Sequence, residues 1–261
     1  MTLRLALWQG AGVAGDLAAT VTETARIADL AAAAGAELLV FPEGYLTGYY
    51  IRDLARNGLA GVEAALTEVG GIAARTGLAI VIGCHVGQPP HIRNAAIVFA
   101  PTGMEIGRYY KRALFGAWEK ATFQPGDSAF AFDLCGLRIG VLVCYDVEFP
   151  ELVRAHARAG AALVVVPTAL MAPHENIARA VVPVRAMENQ IFLGYANRSG
   201  QEPHLNFVGL SRICGPRGEI ITEAGADPAL LLADIDPQRI AADRAGFDYL
   251  GDLAGLAGDI G

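Results

Sequence analysis

Apolar runs and apolar-polar periodicity divide the chain into short strands and amphipathic helices. Leu3 to Gln9 is an apolar run of strand length, Leu17 to Ala34 repeats apolar side chains at helical spacing, and Ala36 to Phe41 is another apolar strand, stopped by Pro42-Glu43-Gly44. A second helix is predicted around 60 to 76, followed by strands over 79 to 85 and 94 to 100. Pro101-Thr102-Gly103 ends the latter, and 105 to 111 reads as its hairpin return. After a stretch rich in turn formers come strands at 129 to 134 and 137 to 143, separated by Cys135-Gly136. Helix 148 to 160 with strand 161 to 166, and helix 174 to 188 with strand 190 to 195, repeat the helix-strand theme. Strands are predicted at 205 to 214, 218 to 223 and 230 to 235, and an irregular tail with short helical stretches from 237.

Hairpins mixed with helical crossovers predict an α/β fold of two mixed sheets packed face to face and flanked by helices, an α-β-β-α sandwich. A (β/α)8 barrel fits less well, because 79 to 111 and 129 to 143 place strands next to one another without helices between them. No linker or change of composition interrupts the chain, so residues 1–261 read as a single domain.

Composition narrows the choice of partner. With 53% hydrophobic and 18% charged residues the chain is neither disordered nor a coiled coil. A net charge of -7 and the lack of any Lys/Arg tract make nucleic acid and anionic membrane surfaces poor partners. The mean hydropathy is +0.37, yet runs such as 161 to 166 fall far short of the roughly 20 residues that span a bilayer. Met1-Thr2-Leu3-Arg4-Leu5 enters a strand pattern directly, without the apolar run of a secretory signal, so export by that route is not expected. Cys84, Cys135, Cys144 and Cys214 show no CxxC spacing, which fits reduced thiols in the cytoplasm.

Three apolar runs end in ionisable residues: Glu43 after Leu38-Leu39-Val40-Phe41-Pro42, Lys111 after Ile106-Gly107-Arg108-Tyr109-Tyr110, and Cys144 after Ile139-Gly140-Val141-Leu142-Val143. Strand ends are rigid platforms whose side chains can meet over a sheet edge. Taken singly, Glu43 reads equally as a solvated loop carboxylate, Lys111 as a rim cation, and Cys144 as an inert core thiol. Together they supply a thiol nucleophile, a carboxylate that can move its proton, and an ammonium that stabilises negative charge. Tyr145-Asp146-Val147-Glu148-Phe149-Pro150 breaks the strand before a helix, so the Tyr145 backbone N–H is expected near the thiol. The histidines at 85, 91, 156, 174 and 204 have no regular ligand spacing, and no GxGxxG or GxxxxGK[ST] occurs. No metal or cofactor is therefore expected.

These segments resemble the nitrilase superfamily, the carbon-nitrogen hydrolases, along nearly the whole chain. The resemblance is carried by Phe41-Pro42-Glu43 with Leu46-Thr47-Gly48-Tyr49, by Tyr109-Tyr110-Lys111-Arg112 with Leu114-Phe115, and by Val143-Cys144-Tyr145-Asp146-Val147-Glu148-Phe149-Pro150-Glu151. Phe123-Gln124-Pro125-Gly126, Arg185-Ala186-Met187-Glu188-Asn189 and Ala196-Asn197-Arg198-Ser199-Gly200 add to it. It implies a catalytic triad of Glu43, Lys111 and Cys144, a second carboxylate at Glu119, the sandwich fold, and a homodimer or larger homo-oligomer. It also implies hydrolysis of a small-molecule amide through a cysteine thioester, and Thr168-Ala169-Leu170-Met171-Ala172-Pro173 resembles the small aliphatic and amino-amide amidases most. Nitrilase, N-carbamoyl amine hydrolase and an inactive scaffold are the other readings. Ala113 departs from the pattern, since many relatives carry histidine there. Tyr49, Trp118, Tyr145, Leu170 and Met171 lie near the strand ends as an expected pocket wall, and Arg198 reads either as a carboxylate ligand or as a structural ion pair.

Overall fold

The computed structural model describes residues 2–256. The first sheet contains β1 (Leu3–Gln9), β2 (Leu38–Val40), β3 (Ala79–Val86), β4 (Arg93–Phe99), β5 (Glu105–Tyr110) and the late strand β14 (Ala229–Ile235), in the order β14-β1-β2-β3-β4-β5. The second contains β6 (Phe130–Leu134), β7 (Leu137–Val141), β8 (Leu163–Thr168), β9 (Phe192–Asn197), β12 (Arg212–Cys214) and β13 (Ile220–Glu223), in the order β13-β12-β9-β8-β7-β6. In each sheet a parallel trio, β1-β2-β3 or β7-β8-β9, is flanked by antiparallel strands. Helices α1 (Leu17–Ala33) and α3 (Val62–Thr76) cross over the first trio, and α5 (Pro150–Arg158) and α6 (Val182–Met187) over the second. The result is an α-β-β-α sandwich.

Period-two alternation sets which side chains meet. Leu3, Leu5 and Leu7 of β1, Val81 of β3 and Val98 of β4 share one buried cluster with Ile139, Val141 and Phe192 of the opposite sheet. Ala6 and Trp8 of β1, with Leu39, Ile80 and Ile82, form a second cluster with Ile27 of α1 and Val69 of α3. Continuing inward along β3, β4 and β5, the same alternation brings His85, Asn94 and Lys111 between the sheets, all buried.

Several boundaries differ from the sequence reading. The strand expected over 205 to 214 is split: β10 (Ser199–Glu202) and β11 (Leu205–Val208) form a hairpin of their own, while β12 joins the second sheet. Gly209 (φ 66°) and Leu210 (φ 60°) take left-handed backbone between β11 and β12, which interrupts any continuous ladder. The strand expected to 143 ends at Val141, and helix α5 starts only at Pro150, whose missing N–H suits a first helical turn. The helix expected over 174 to 188 opens with a wide turn over Ile177–Val181 before α6. Two short helices, α2 (Leu54–Asn57) and α4 (Gly116–Thr122), have too few turns for a periodic signal, and the tail folds as α7 (Pro237–Gly246) and α8 (Tyr249–Leu256). No described helix is long and apolar enough to cross a membrane.

Candidate active site

Glu43 is held by the turn that follows β2. Phe41 N–H donates to the Val81 carbonyl at 2.8 Å, and Leu46 N–H donates to the Gly83 carbonyl at 3.1 Å, so the turn hooks back onto β3. The approach is so close that a Cβ on Gly83 would lie 2.2 Å from the Pro42 carbonyl oxygen and 2.6 Å from Glu43 Cα. Lys111 lies just beyond β5, where its N–H donates to the Asn94 carbonyl and its own carbonyl accepts from Gly126, both at 2.8 Å. Glu119 sits in the first turn of α4, and its Oε2 accepts the Phe115 N–H at 2.6 Å.

These three side chains meet with no solvent exposure. Lys111 Nζ donates to Glu43 Oε1 and to Glu119 Oε1, each at 2.7 Å. Tyr49 donates its hydroxyl to Glu119 Oε1 at 2.8 Å, and Asn94 Nδ2 donates to Glu43 Oε1 at 2.7 Å. Charges so deeply buried are tolerable because each is paired and hydrogen-bonded.

Cys144 takes up a left-handed backbone conformation (φ 49°) and opens a tight helical turn over Cys144–Glu148. Asp146 braces that turn: Oδ2 accepts the Val143 N–H at 3.0 Å and the Tyr109 hydroxyl at 2.8 Å. Its Oδ1 accepts the N–H groups of Arg112 at 3.2 Å and Ala113 at 2.7 Å, which ties the nucleophile turn to the chain leaving Lys111. The Tyr145 N–H lies in the first turn of this short helix, where backbone donors have no partner within the helix.

Burial pushes the Cys144 thiol well above its ordinary range, Glu43 reinforces the rise, and Lys111 opposes it. The resting sulfur is therefore a neutral thiol. Burial likewise raises the Glu43 carboxyl, with Lys111 pulling it down and Glu119 adding to the rise. For Lys111, burial alone favours the amine, but the carboxyl groups of Glu43 and Glu119 outweigh it and hold an ammonium. A neutral thiol beside a carboxylate and a fixed cation suits proton removal during attack, with no standing thiolate.

Cys144 faces a cavity of about 210 Å3 lined by Tyr49, Phe115, Tyr145, Glu148, Ala169, Leu170, Met171 and His174. Four of the expected wall residues, Tyr49, Tyr145, Leu170 and Met171, are among them. Trp118 is not: its ring stands behind Tyr49, 5.6 Å between centroids, and also packs on Tyr50 and Phe123. Arg198 is fully buried, donates to the carbonyls of Glu43 (3.3 Å) and Gly44 (2.9 Å), and pairs with Glu202. Glu202 in turn accepts the N–H groups of Tyr49 at 3.1 Å and Tyr50 at 2.8 Å. Arg198 is thus a structural cation behind the 43 to 50 loop. Asn94, His174 and Glu202 escaped the sequence reading of the site, whereas Phe115, Asp146 and Glu148 entered it only within the motifs that follow Lys111 and Cys144.

Residues 4–245 match the carbon-nitrogen hydrolase family model. A Pseudomonas protegens protein named "Hydrolase in pqqF 5'region" is 36% identical over 255 residues, covering 96% of this chain and 89% of the relative. An (R)-stereoselective amidase from a Pseudomonas species is 33% identical over 260 residues, covering 96% and 91%. The crystal structure of an amidase from a Nesterenkonia species superposes with a TM-score of 0.86 at 36% identity, over 94% of each chain. A cysteine-to-alanine variant of the amidase from Nesterenkonia sp. AN1 has been solved in complex with butyramide.

Proposed function

The chain belongs to the carbon-nitrogen hydrolase family, and we propose that it is a cysteine-dependent amidase converting a small aliphatic or amino amide and water to a carboxylic acid and ammonia. The observation that carries this reading is the buried Glu43–Lys111–Glu119 ladder beside Cys144, whose side chain lines a small, largely apolar cavity.

In the proposed mechanism Glu43 takes the Cys144 proton as sulfur attacks the amide carbon, forming the S–C bond and a tetrahedral oxyanion. Lys111 and the Tyr145 N–H stabilise that oxygen; one such donor contributes about 3 to 4 kcal/mol when it is aimed at the developing charge. The C–N bond then breaks, and Glu43 returns the proton to the leaving nitrogen, giving ammonia and a thioester. Water, deprotonated by Glu43, attacks the thioester and releases the acid and the Cys144 thiol. Glu119 orients Lys111 and helps place the amide nitrogen.

Tyr49, Leu170 and Met171 give the cavity an apolar side suited to a short acyl chain. Half-buried Glu148 on the same wall, with no side-chain hydrogen bond or ion pair among the described residues, supports amine-bearing amides over carboxylated ones. We further propose one catalytic domain over the whole chain. A homodimer is supported by exposed Phe149, Val184 and Met187 on and beside α5 and α6. A reducing, cytoplasmic location is supported by the need to keep Cys144 as a thiol.

Ammonia release from butyramide, its amino-substituted analogues, butyronitrile and N-carbamoyl amines tests the reading. Turnover of the amides with little from the other compounds is expected. Faster turnover of the nitrile, or carbon dioxide and ammonia released together from carbamoyl amines alone, would replace it.

A further inference from the structure

The two carboxylates that share Lys111 are not equivalent. Glu119 has both oxygens engaged: Oε1 receives Lys111 Nζ and the Tyr49 hydroxyl, and Oε2 receives the Phe115 N–H. In Glu43, by contrast, both donors converge on Oε1, from Lys111 Nζ and Asn94 Nδ2, each at 2.7 Å. Glu43 Oε2 is buried with no hydrogen-bond partner among the described residues, and the Cys144 thiol is a further neighbour that favours the Glu43 anion.

Asn94 is placed to create that inequality. It lies on β4 opposite His85 of β3, is 1% exposed, and accepts the Lys111 N–H on its backbone carbonyl at 2.8 Å. One residue therefore anchors both the carboxylate and the strand end that carries the ammonium. Its own Oδ1 has no partner among the described residues, and His85 offers none, since both ring nitrogens are unpaired and the ring packs on Phe123 at 4.7 Å. A buried amide with its oxygen unpaired opposes folding, so stability alone gives no reason for an asparagine here. The hydrogen bond that its amide nitrogen makes goes to Glu43.

We propose that Asn94 is a positioning residue for hydrolysis: with Lys111 it pins Oε1 of Glu43, and so leaves Oε2 as the oxygen that takes the Cys144 proton and delivers it to the leaving nitrogen. This inference rests on the reading of Glu43 as general base. A single donor would let the carboxylate pivot about one hydrogen bond; a second fixes its plane. A second cation would fix it too, but would stabilise the anion so strongly that Glu43 became a weak base. A neutral amide orients with a smaller pull. Glu119 has both oxygens engaged, while Glu43 keeps a free oxygen for proton transfer.

The experiment compares wild type, Asn94→Leu and Asn94→Asp in two measurements. One is the pH dependence of Cys144 alkylation by iodoacetamide, read by peptide mass spectrometry, which follows thiol activation without amide turnover. The other is kcat and KM for a short amide. Asn94→Leu removes a donor to the anion, so the acid-side midpoint of alkylation should move up by roughly half to one pH unit. Its kcat should fall by about tenfold or more, with KM changed by less than about twofold. Asn94→Asp keeps the shape but sets a second carboxyl beside Oε1, which should move the midpoint further up. It carries the test alone if circular dichroism shows that Asn94→Leu does not fold. A folded variant that loses only thermal stability, with midpoint and kcat as in wild type, overturns the proposal. If wild type hydrolyses no amide but the midpoint still moves with Asn94, the positioning role stands and the amidase reading falls. Intact amide turnover with an unmoved midpoint removes the positioning role alone.

Discussion

At Cys144 the backbone conformation itself is costly, since a left-handed residue with a side chain costs about 1 to 3 kcal/mol and persists only when its surroundings impose it. Asp146 imposes it here through four hydrogen bonds reaching Val143, Tyr109, Arg112 and Ala113. The scaffold of the turn therefore does not depend on the sulfur. Cys144→Ala should abolish turnover and acyl-enzyme formation while moving the melting temperature by only about one to two degrees, as a change of about 0.5 kcal/mol does in a chain of this size. Glu119→Gln probes the second carboxyl group. It keeps the volume but removes the charge that orients Lys111, so acylation by an amide should slow by about a hundredfold, whereas an ester, whose leaving group needs less help, should acylate nearly as fast. Intact-protein mass spectrometry after brief mixing with a matched amide and ester checks both variants. Equal acylation rates for wild type and Glu119→Gln with both substrates would remove Glu119 from its assigned role.

Elements matter here through how closely they approach. The Glu43 turn lies directly on β3, and only a glycine at position 83 leaves room for it. Gly83→Ala must push the Pro42-Glu43 backbone away, and a misplacement of about 1 Å costs roughly a hundredfold in rate. Gly71→Ala is the matched control: on the exposed face of α3 its Cβ would meet nothing within 4 Å among the described residues, so it should leave kcat unchanged and add about 0.4 to 1 kcal/mol of stability. Parallel kcat and urea-unfolding measurements test the pair; wild-type kcat in Gly83→Ala would show that the turn is not held by β3. The same dependence on approach explains what was legible in the sequence. Glu43, Lys111 and Cys144 stand out because each follows an apolar run, and the long strands and helices declare themselves by period. Asn94 does not: it sits among strand residues and works through a partner 51 positions away, and Arg198, singled out by the family pattern, reaches a partner 155 positions away that no local signal names. Helix α4 is too short to show a period, so Glu119 came from the family pattern and not from local physics.

For the whole molecule, burial of titratable groups makes stability depend on pH in two opposing ways. Burial holds the His85 ring neutral in the fold, with its pKa pushed down from 6.5 to about 3 and the Arg198 and Lys111 charges helping; burial lowers His156 as well. A depressed histidine contributes stability that is complete above the unfolded pKa and is lost as pH falls from about 6.5 toward about 3, because the unfolded chain takes up the proton first. Glu43 and Asp146, raised by burial, act in the opposite direction: the fold holds their protons more tightly, so they favour it as pH falls through their raised values. The wild-type slope near pH 5 is the difference between these effects, and a single variant separates them. His85→Leu removes one titrating group and two buried nitrogens that have no partner among the described residues, from a wall shared with Phe123 and Trp118, without touching Cys144 or the ammonium ladder. Urea unfolding from about pH 8 to about pH 4 should give nearly parallel curves above 6.5, then a widening gap in favour of His85→Leu, approaching about 1.4 kcal/mol per pH unit. Curves that stay parallel down to the lowest pH would mean that the folded protein protonates His85 as readily as the unfolded chain does, and that the space between the sheets at this end admits a charge.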